Sequence, residues 1–312
     1  MNSAQPKTKP TFGGHEKFVF RQGWLKKGVD AVNKNPAIFA DDQALVTLGV
    51  GKNMVRSIRH WCLATGLLFE TPDGGRVRPL AISDLGERLF LAPGWDPYLE
   101  DAGTIWLLHW QLASNRHRSL IWHLVFSRFY EAEFTKRQLG AFVSKQLDNM
   151  AVTTTSGTID REIDCFLLTY VPAVQRRNNA ISEESLDCPL VDLDLIRYTQ
   201  EDNMYGFNAG PKPSLPAEVF GYGLVHFLEH IAQNRRTVHI DECVYHEGSP
   251  GQIFRLDENS VVEYLEKLEN MTGGVVRLQE SAGLPQLYLD HSSEKTWLSL
   301  AADLLKRHYE RH

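Results

Sequence analysis

The chain has 312 residues, 43% of them apolar and 23% charged, with a formal net charge of −6 and four cysteines. That length suits two or three domains with sizeable cores, and no apolar run approaches the ~20 residues that a membrane-spanning helix needs. The polar start MNSAQPKTKP lacks the apolar centre of a secretory signal, and Cys62, Cys165, Cys188 and Cys243 form no C-x-x-C pair. A cytoplasmic protein with reduced, mostly buried thiols is therefore expected, without a disulfide framework or zinc ribbon.

Residues 1–11, with Lys-Pro pairs and no apolar pattern, predict a disordered leader. The next segment, FGGHEKFVFRQGWLKKG (Phe12 to Gly28), is dense in His, Glu, Arg and Lys around glycines. Paired glycines let backbone approach a ligand, and His15 beside Glu16 is a workable acid–base couple. The same side chains would serve equally as a clamp on the element that follows.

That element is LGVGKNMVRSIRHWCLATGLLF (Leu48 to Phe69). Wound as a helix, it sets Lys52, Asn53, Arg56, Arg59 and His60 on one face and Met54, Val55, Ile58, Trp61 and Cys62 on the other. A short helix is predicted before it at Asp41–Val46, a tight turn at Gly49–Gly51 and a stop at Gly66. Leu68 to Ile82 then reads as a hairpin around Pro72-Asp73-Gly74-Gly75, with Arg76 and Arg78 on the return strand, and Ser83 caps the next helix. Helix, turn, helix and hairpin together predict a winged helix-turn-helix. A solvated surface helix, or a helix-turn-helix that binds protein, would show the same pattern.

Regional charge favours nucleic acid. Residues 1–100 hold 13 Lys and Arg against 10 Asp and Glu, whereas residues 101–312 hold 20 against 29, so the positive character is concentrated at the front.

Trp106, Leu107, Trp110, Leu112 and Trp122 recur at helical spacing and read as buried connecting helices. A capping box at Thr135–Gln138 opens a second helix-turn-helix candidate, whose second helix runs to Tyr170 and is acidic enough to be read as scaffold. Beyond a polar linker over Gln175–Ser185, Pro189–Ile196 and Met204–Phe207 read as a strand pair. Helices at Ala217–Gln233 and Ser260–Asn270, the latter from a Ser-x-x-Glu box, precede a hairpin across Ser281-Ala282-Gly283 and a last helix, Glu294–Tyr309. The expected fold is mainly α with small β-hairpins, as tandem winged helix-turn-helix-like domains: 12–130 with connecting helices, 131–180, and 181–312.

Other motifs carry less. His226-Phe227-Leu228-Glu229-His230 matches H-x-x-E-H, but its flanks are those of a packing helix and no third ligand motif follows. His239, Asp241, Glu242 and His246 lie close in sequence, and Asp192 with Asp194 would share one strand face; both are read as ordinary surface before metal. Leu48–Asn53 lacks the G-x-x-x-x-G-K-[ST] spacing of a phosphate loop, and no G-x-S-x-G is present.

Phe12–Gly28, Leu48–Cys62 and Asn208-Ala209-Gly210-Pro211-Lys212-Pro213 together resemble the SspB family, long labelled a domain of unknown function, over nearly the whole chain. Its namesake belongs to bacterial single-strand DNA phosphorothioation systems. The resemblance implies a DNA-acting role in a modification and defence operon, beside a cysteine desulfurase, an ATPase and a sulfur transferase, with nicking that lets sulfur replace a phosphate oxygen. On this sequence it implies His15, Glu16 and Arg21 as catalytic candidates. Lys26, Lys27, Lys52, Asn53, Arg56, Arg59, His60, Arg76 and Arg78 are the expected DNA contacts. Magnesium or manganese would be the cofactor, with its ligands unassigned. A non-enzymatic adaptor that recruits the sulfur-transfer partners, and a winged-helix transcriptional regulator, are the alternatives.

Overall fold

The computed structural model describes residues 10–72, 78–172, 188–232, 235–281, 284–290 and 296–311. The expected leader at 1–11 thus falls almost wholly outside the described residues, as do Arg76 and the tip of the first hairpin.

Helix α1 (Gln22–Lys34) buries Trp24, Leu25, Val29 and Val32. It crosses α3 (Lys52–Ala64) at Gly28, where an added Cβ would come 2.4 Å from the Cys62 sulfur. Between them α2 (Ala44–Leu48) ends on Gly49, whose φ of 64° turns the chain toward α3. Strands β1 (Leu68–Glu70) and β2 (Leu80–Ile82) pair antiparallel, with Leu68 opposite Ile82 and Glu70 opposite Leu80. Ser83 then caps α4 (Asp84–Phe90) by accepting the Gly86 N–H, while its own hydroxyl donates to the Leu67 carbonyl at 3.1 Å. The predicted order of short helix, turn, helix and hairpin is present, and α1 adds a helix that the sequence reading did not assign.

Helices α5 (Ala102–Ser114) and α6 (Leu120–Arg128) carry the buried Trp106, Trp110 and Trp122, as their spacing predicted. After β3 (Glu133–Phe134), the Thr135–Gln138 capping box opens α7 (Lys136–Asn149), and α8 (Ser156–Tyr170) starts from Thr155. The predicted strand at Pro189–Ile196 is largely a 3-10 helix over Pro189–Leu193, where proline in the first turn suits helical rather than ladder geometry. The strand proper is β4 (Ile196–Thr199), and with β5 (Met204–Phe207) it forms a three-stranded sheet in the order β3-β5-β4.

Two compact units result. The first comprises the described residues up to Val125 together with Phe129–Gly206; the second comprises Phe126–Arg128 and Phe207–His312. The expected divisions at 130 and 180 do not part them. Residues 131–172 stay with the first unit because Phe166 packs on Trp122, centroids 5.7 Å apart, and the Pro189–Leu193 helix packs on α5 and α8.

In the second unit α9 (Ala217–Ile231) packs on α12 (Glu258–Met271) and α13 (Trp297–Tyr309). The N-cap of α12 is Asp257, which accepts the Ser260 N–H at 2.8 Å, in place of the predicted Ser260 box. Strand β6 (Thr237–His239) joins β7 (Val276–Ser281) and β8 (Leu284–Leu289) in the order β6-β8-β7. Helices α10 (Ile240–Tyr245) and α11 (Pro250–Phe254) follow β6. The architecture is mainly helical with small antiparallel sheets, as expected.

Gly86 tests the junction of hairpin and α4, because a Cβ there would lie 2.4 Å from the Leu67 carbonyl oxygen, a backbone atom that cannot swing aside. Gly86→Ala is expected to cost about 1–3 kcal/mol, seen as a lower urea midpoint at unchanged m. Gly23→Ala, with open space at its Cβ, should leave the midpoint level or raise it.

Candidate nucleic-acid interface

Lys52, Asn53 and Arg56 stand exposed on the first two turns of α3, directly after the Gly49–Gly51 turn. An exposed, cationic helix start presents both positive side chains and unpaired backbone N–H groups, which is the chemistry that receives phosphate. Arg56 keeps 57% of its side chain exposed although its guanidinium approaches Glu16 at 3.3 Å. Its attraction to that carboxylate is that of a surface pair and leaves the outer face of the fork open.

The rest of the predicted basic face is arranged differently. His60 is only 7% exposed, with its ring edge-on to Trp61 at 5.1 Å and to His15 at 5.9 Å. Burial first, and then the charges of His15, Arg118 and Arg59, lower its pKa to about 3. A neutral, enclosed imidazole cannot read DNA, so the expectation for His60 is corrected: it is a core histidine. Helical periodicity places it within the basic arc, between Arg56 and Asn53, and the close approach of Gly14, where a Cβ would sit 2.4 Å from His60 Nδ1, is what encloses it.

Arg59 is one of three guanidiniums gathered on Glu70. It lies 2.7 Å from Oε1, while Arg118 and Arg78 lie 3.0 and 3.4 Å from Oε2. Burial would raise the Glu70 carboxyl, but the hydrogen bonds and charges of Arg59 and Arg118 outweigh it and hold the group below the ordinary glutamate value. Lys26 is also engaged: its ammonium pairs with Asp30 at 2.8 Å and reaches the Phe90 carbonyl. It therefore belongs to the α1–α4 packing and not to an open basic surface. Lys27 is exposed and reaches the Leu48 carbonyl at 3.4 Å.

The N-terminal motif forms a strained turn against α8. Gly13, Glu16 and Lys17 all hold positive φ, at 71°, 50° and 69°, a conformation disfavoured for the latter two and maintained only where surroundings fix it. Glu162, 4% exposed, is the fixing group. Its Oε1 accepts the Gly13 N–H and stands 3.2 Å from His15 Nε2. The other ring nitrogen, Nδ1, accepts the Lys17 N–H at 3.0 Å, so a neutral ring carries its proton on the nitrogen facing Glu162. His15 itself is 1% exposed. His15 and Glu16 are adjacent but do not couple, because the turn sends one ring inward and the other carboxylate out to Arg56.

This turn, Arg21, Asn53 and the α8 residues Thr158 and Arg161 line a cleft of about 700 Å³. Arg21 lies 5.3 Å over the Trp24 ring. A larger cleft of about 1100 Å³ lies along α7 and α8 and is lined by none of the expected site residues. Glu162 and Arg161 were missed, since α8 as a whole reads as acidic. A carboxylate at position 162 within the apolar series Ile159, Ile163, Phe166 was the available signal.

Among the described residues, no group of three or more His, Cys, Asp and Glu is placed to hold a metal ion. His226 of the H-x-x-E-H motif is drawn down to a pKa of about 4 by burial and by His230, and it meets Glu229 at 3.9 Å without a third ligand. His239 and Glu242 form a cap on α10, and Glu242 also binds Arg235. Asp192 lies within the Pro189–Leu193 helix and not on a strand, and Asp194, its C-cap at a φ of 46°, pairs with Arg197. The four cysteines are buried and form no disulfide. No helix among the described residues is long and apolar enough to cross a membrane.

The fold and this surface define a mainly helical protein with a cationic helix start beside a clamped His–Glu pair. The chain belongs to the family described as "Protein of unknown function (DUF4007)", whose profile matches residues 12–309. It is similar to a magnesium ion-bound SspB crystal structure, with a TM-score of 0.85 and 29% identity over 96% of this chain and 88% of that one. A second SspB crystal structure matches with a TM-score of 0.83 at the same identity and coverage. No curated protein matches. The kinship that the motifs led one to expect is thereby established.

His60 and His226 are both held neutral by folding, with pKa values near 3 and 4 against an ordinary 6.5. The unfolded chain then binds more protons as pH falls below 6.5, so their stabilising share is complete above that value and is lost on acidification. Between pH 6.5 and 4.5, above the range in which the carboxylates titrate, the melting temperature is expected to fall. In His60→Asn the fall should be shallower, as measured by calorimetry across that window.

Proposed function

We propose that this protein is the DNA-binding component of a DNA phosphorothioation system, with α2, α3 and the β1–β2 hairpin acting as a winged helix-turn-helix. The observation that carries this reading is the exposed trio Lys52, Asn53 and Arg56 at the start of α3, on a fold shared with SspB at a TM-score of 0.85. In this reading the helix start docks on a phosphate backbone, Asn53 reaches base edges, and Lys27, Arg59, Arg78 and the hairpin flank the groove. The component nicks or opens DNA so that sulfur can enter, in concert with a cysteine desulfurase, an ATPase and a sulfur transferase.

The cleft beside α3 is the proposed reaction site. Glu16, Lys17, Arg21 and Arg161 face it, which suits a phosphodiester held by cations next to one carboxylate. Buried His15, held by Glu162, orders the turn that presents Glu16, and so it is assigned a positioning role. Magnesium or manganese is the proposed cofactor, in keeping with the magnesium ion-bound relative. Magnesium commonly takes only one or two carboxylates plus substrate phosphates, so Glu16 would hold it beside a phosphodiester, and the described residues form no three-ligand protein cage.

The adaptor reading draws on one specific observation, the enclosure of His15, which removes it from direct proton transfer to a substrate. Supercoiled plasmid incubated with magnesium or manganese separates the two. Nicking by the wild type, abolished in Glu16→Gln with Arg21→Gln, is the expected result. No nicking above a mock preparation leaves the adaptor, and equal nicking by both proteins removes the cleft from the reaction.

Binding has its own test. Lys52→Glu with Arg56→Glu should flatten the slope of log affinity against log salt by about 2 or more on duplex DNA, given ~0.9 per phosphate contact. An unchanged slope excludes α3 from the interface.

A further inference from the structure

Three arginines from separate elements converge on Glu70: Arg59 from α3, Arg78 from the strand-entry side of β2, and Arg118 from the loop between α5 and α6. A structural ion pair needs one partner. Among the described residues, three guanidiniums on one carboxylate give the cluster a net charge of +2, at a place where like charges would otherwise repel. The carboxylate touches one edge of each fork, and each side chain keeps solvent exposure: 65% for Arg78, 32% for Arg59 and 26% for Arg118. Beside them a cleft of about 160 Å³ is lined by Arg59, Arg78 and Phe39. Planar forks pre-ordered on a common centre, with free edges and net positive charge, are suited to the tetrahedral oxygens of a phosphate.

We propose that the Arg59–Arg78–Arg118 cluster is a phosphate-binding site for a DNA strand, and that Glu70 is a built-in anion which orders the three forks while attenuating their affinity. This deepens the DNA-binding reading and rests on it. A phosphodiester docks on the outer edges of the forks as Glu70 holds the inner ones. The carboxylate thus sets affinity below the maximum that three arginines would supply, which favours release as well as capture.

The test uses the full chain, a short labelled duplex and the matching single strand, with binding followed against salt. Glu70→Gln keeps the shape and removes one negative charge. It is expected to bind duplex about fivefold more tightly at ~0.15 M salt and to steepen the salt slope by about 0.9, the value of one further phosphate contact. Arg118→Gln is expected to weaken binding by a similar factor and flatten the slope. A purely structural Glu70 would move the melting temperature and leave the slope alone.

Equal or weaker binding by a cooperatively melting Glu70→Gln protein overturns the proposal. Should that variant not fold, an unchanged slope in Arg118→Gln overturns it instead. Inorganic phosphate, titrated calorimetrically, keeps the two readings apart. If the wild type binds no DNA, yet Glu70→Gln takes up phosphate that a Glu70→Gln, Arg118→Gln protein does not, the anion site stands and the DNA reading falls. If DNA binding depends on Lys52 and Arg56 but is indifferent to Glu70 and Arg118, the DNA reading stands and this site falls.

Discussion

The first unit depends on how Trp61 is held. Its indole is fully buried and donates to the Phe18 carbonyl at 2.9 Å, with Phe20 and Trp122 each edge-on to it at 5.6 Å. One side chain thereby ties the N-terminal segment, α3 and α6 together, and the hydrogen bond removes the penalty of enclosing a polar N–H. The rotation of α3 follows from it. With Trp61, Ile58 and Val55 inward, the helix can turn only its opposite side outward, and that side carries Lys52, Asn53 and Arg56.

The same rotation divides the basic residues by depth. At the start of the helix they are open, while one to two turns further on they meet Glu70 or the ring of Trp61. A negative overall charge is no obstacle to a polyanion partner when the field is local, because at physiological ionic strength charges more than ~8 Å away are largely screened. What counts is the few ångströms around α3, where Glu16 and Glu70 are the moderating carboxylates. Both are placed to order arginines without burying them.

Much of this was legible in the sequence. The amphipathic period of Leu48–Phe69, the glycine turn, the Ser83 cap and the Thr135–Gln138 box each name a local structure whose physics is short-range, and those elements are present. What was not legible is long-range. His60 falls within the basic arc at helical spacing, and the approach of Gly14 makes it internal. Arg118 lies in a loop with no period to mark it. Prolines at 189, 211, 213 and 216 constrain the backbone but do not say which neighbour it packs against, so the apolar run at Pro189–Leu193 reads as a strand although it is a 3-10 helix. For a related reason the compact units part at 206 and not at 130 or 180: a polar composition at Gln175–Ser185 says nothing of whether the flanking segments pack on the same core.

Glu162 and Gly13 are 149 residues apart in the chain, and their hydrogen bond closes the turn that bears His15, Glu16 and Lys17. During synthesis everything from α1 to α6 emerges well before α8 does. Loop-closure entropy makes such a distant contact slow to form even where it is stable. Helices α1 to α3 and the β1–β2 pair can therefore organise from nearby contacts while the cleft waits for a segment made much later. A nascent or prematurely ended chain would carry the cationic helix without the finished cleft, so under the proposed function its grip on nucleic acid would form before its reaction site.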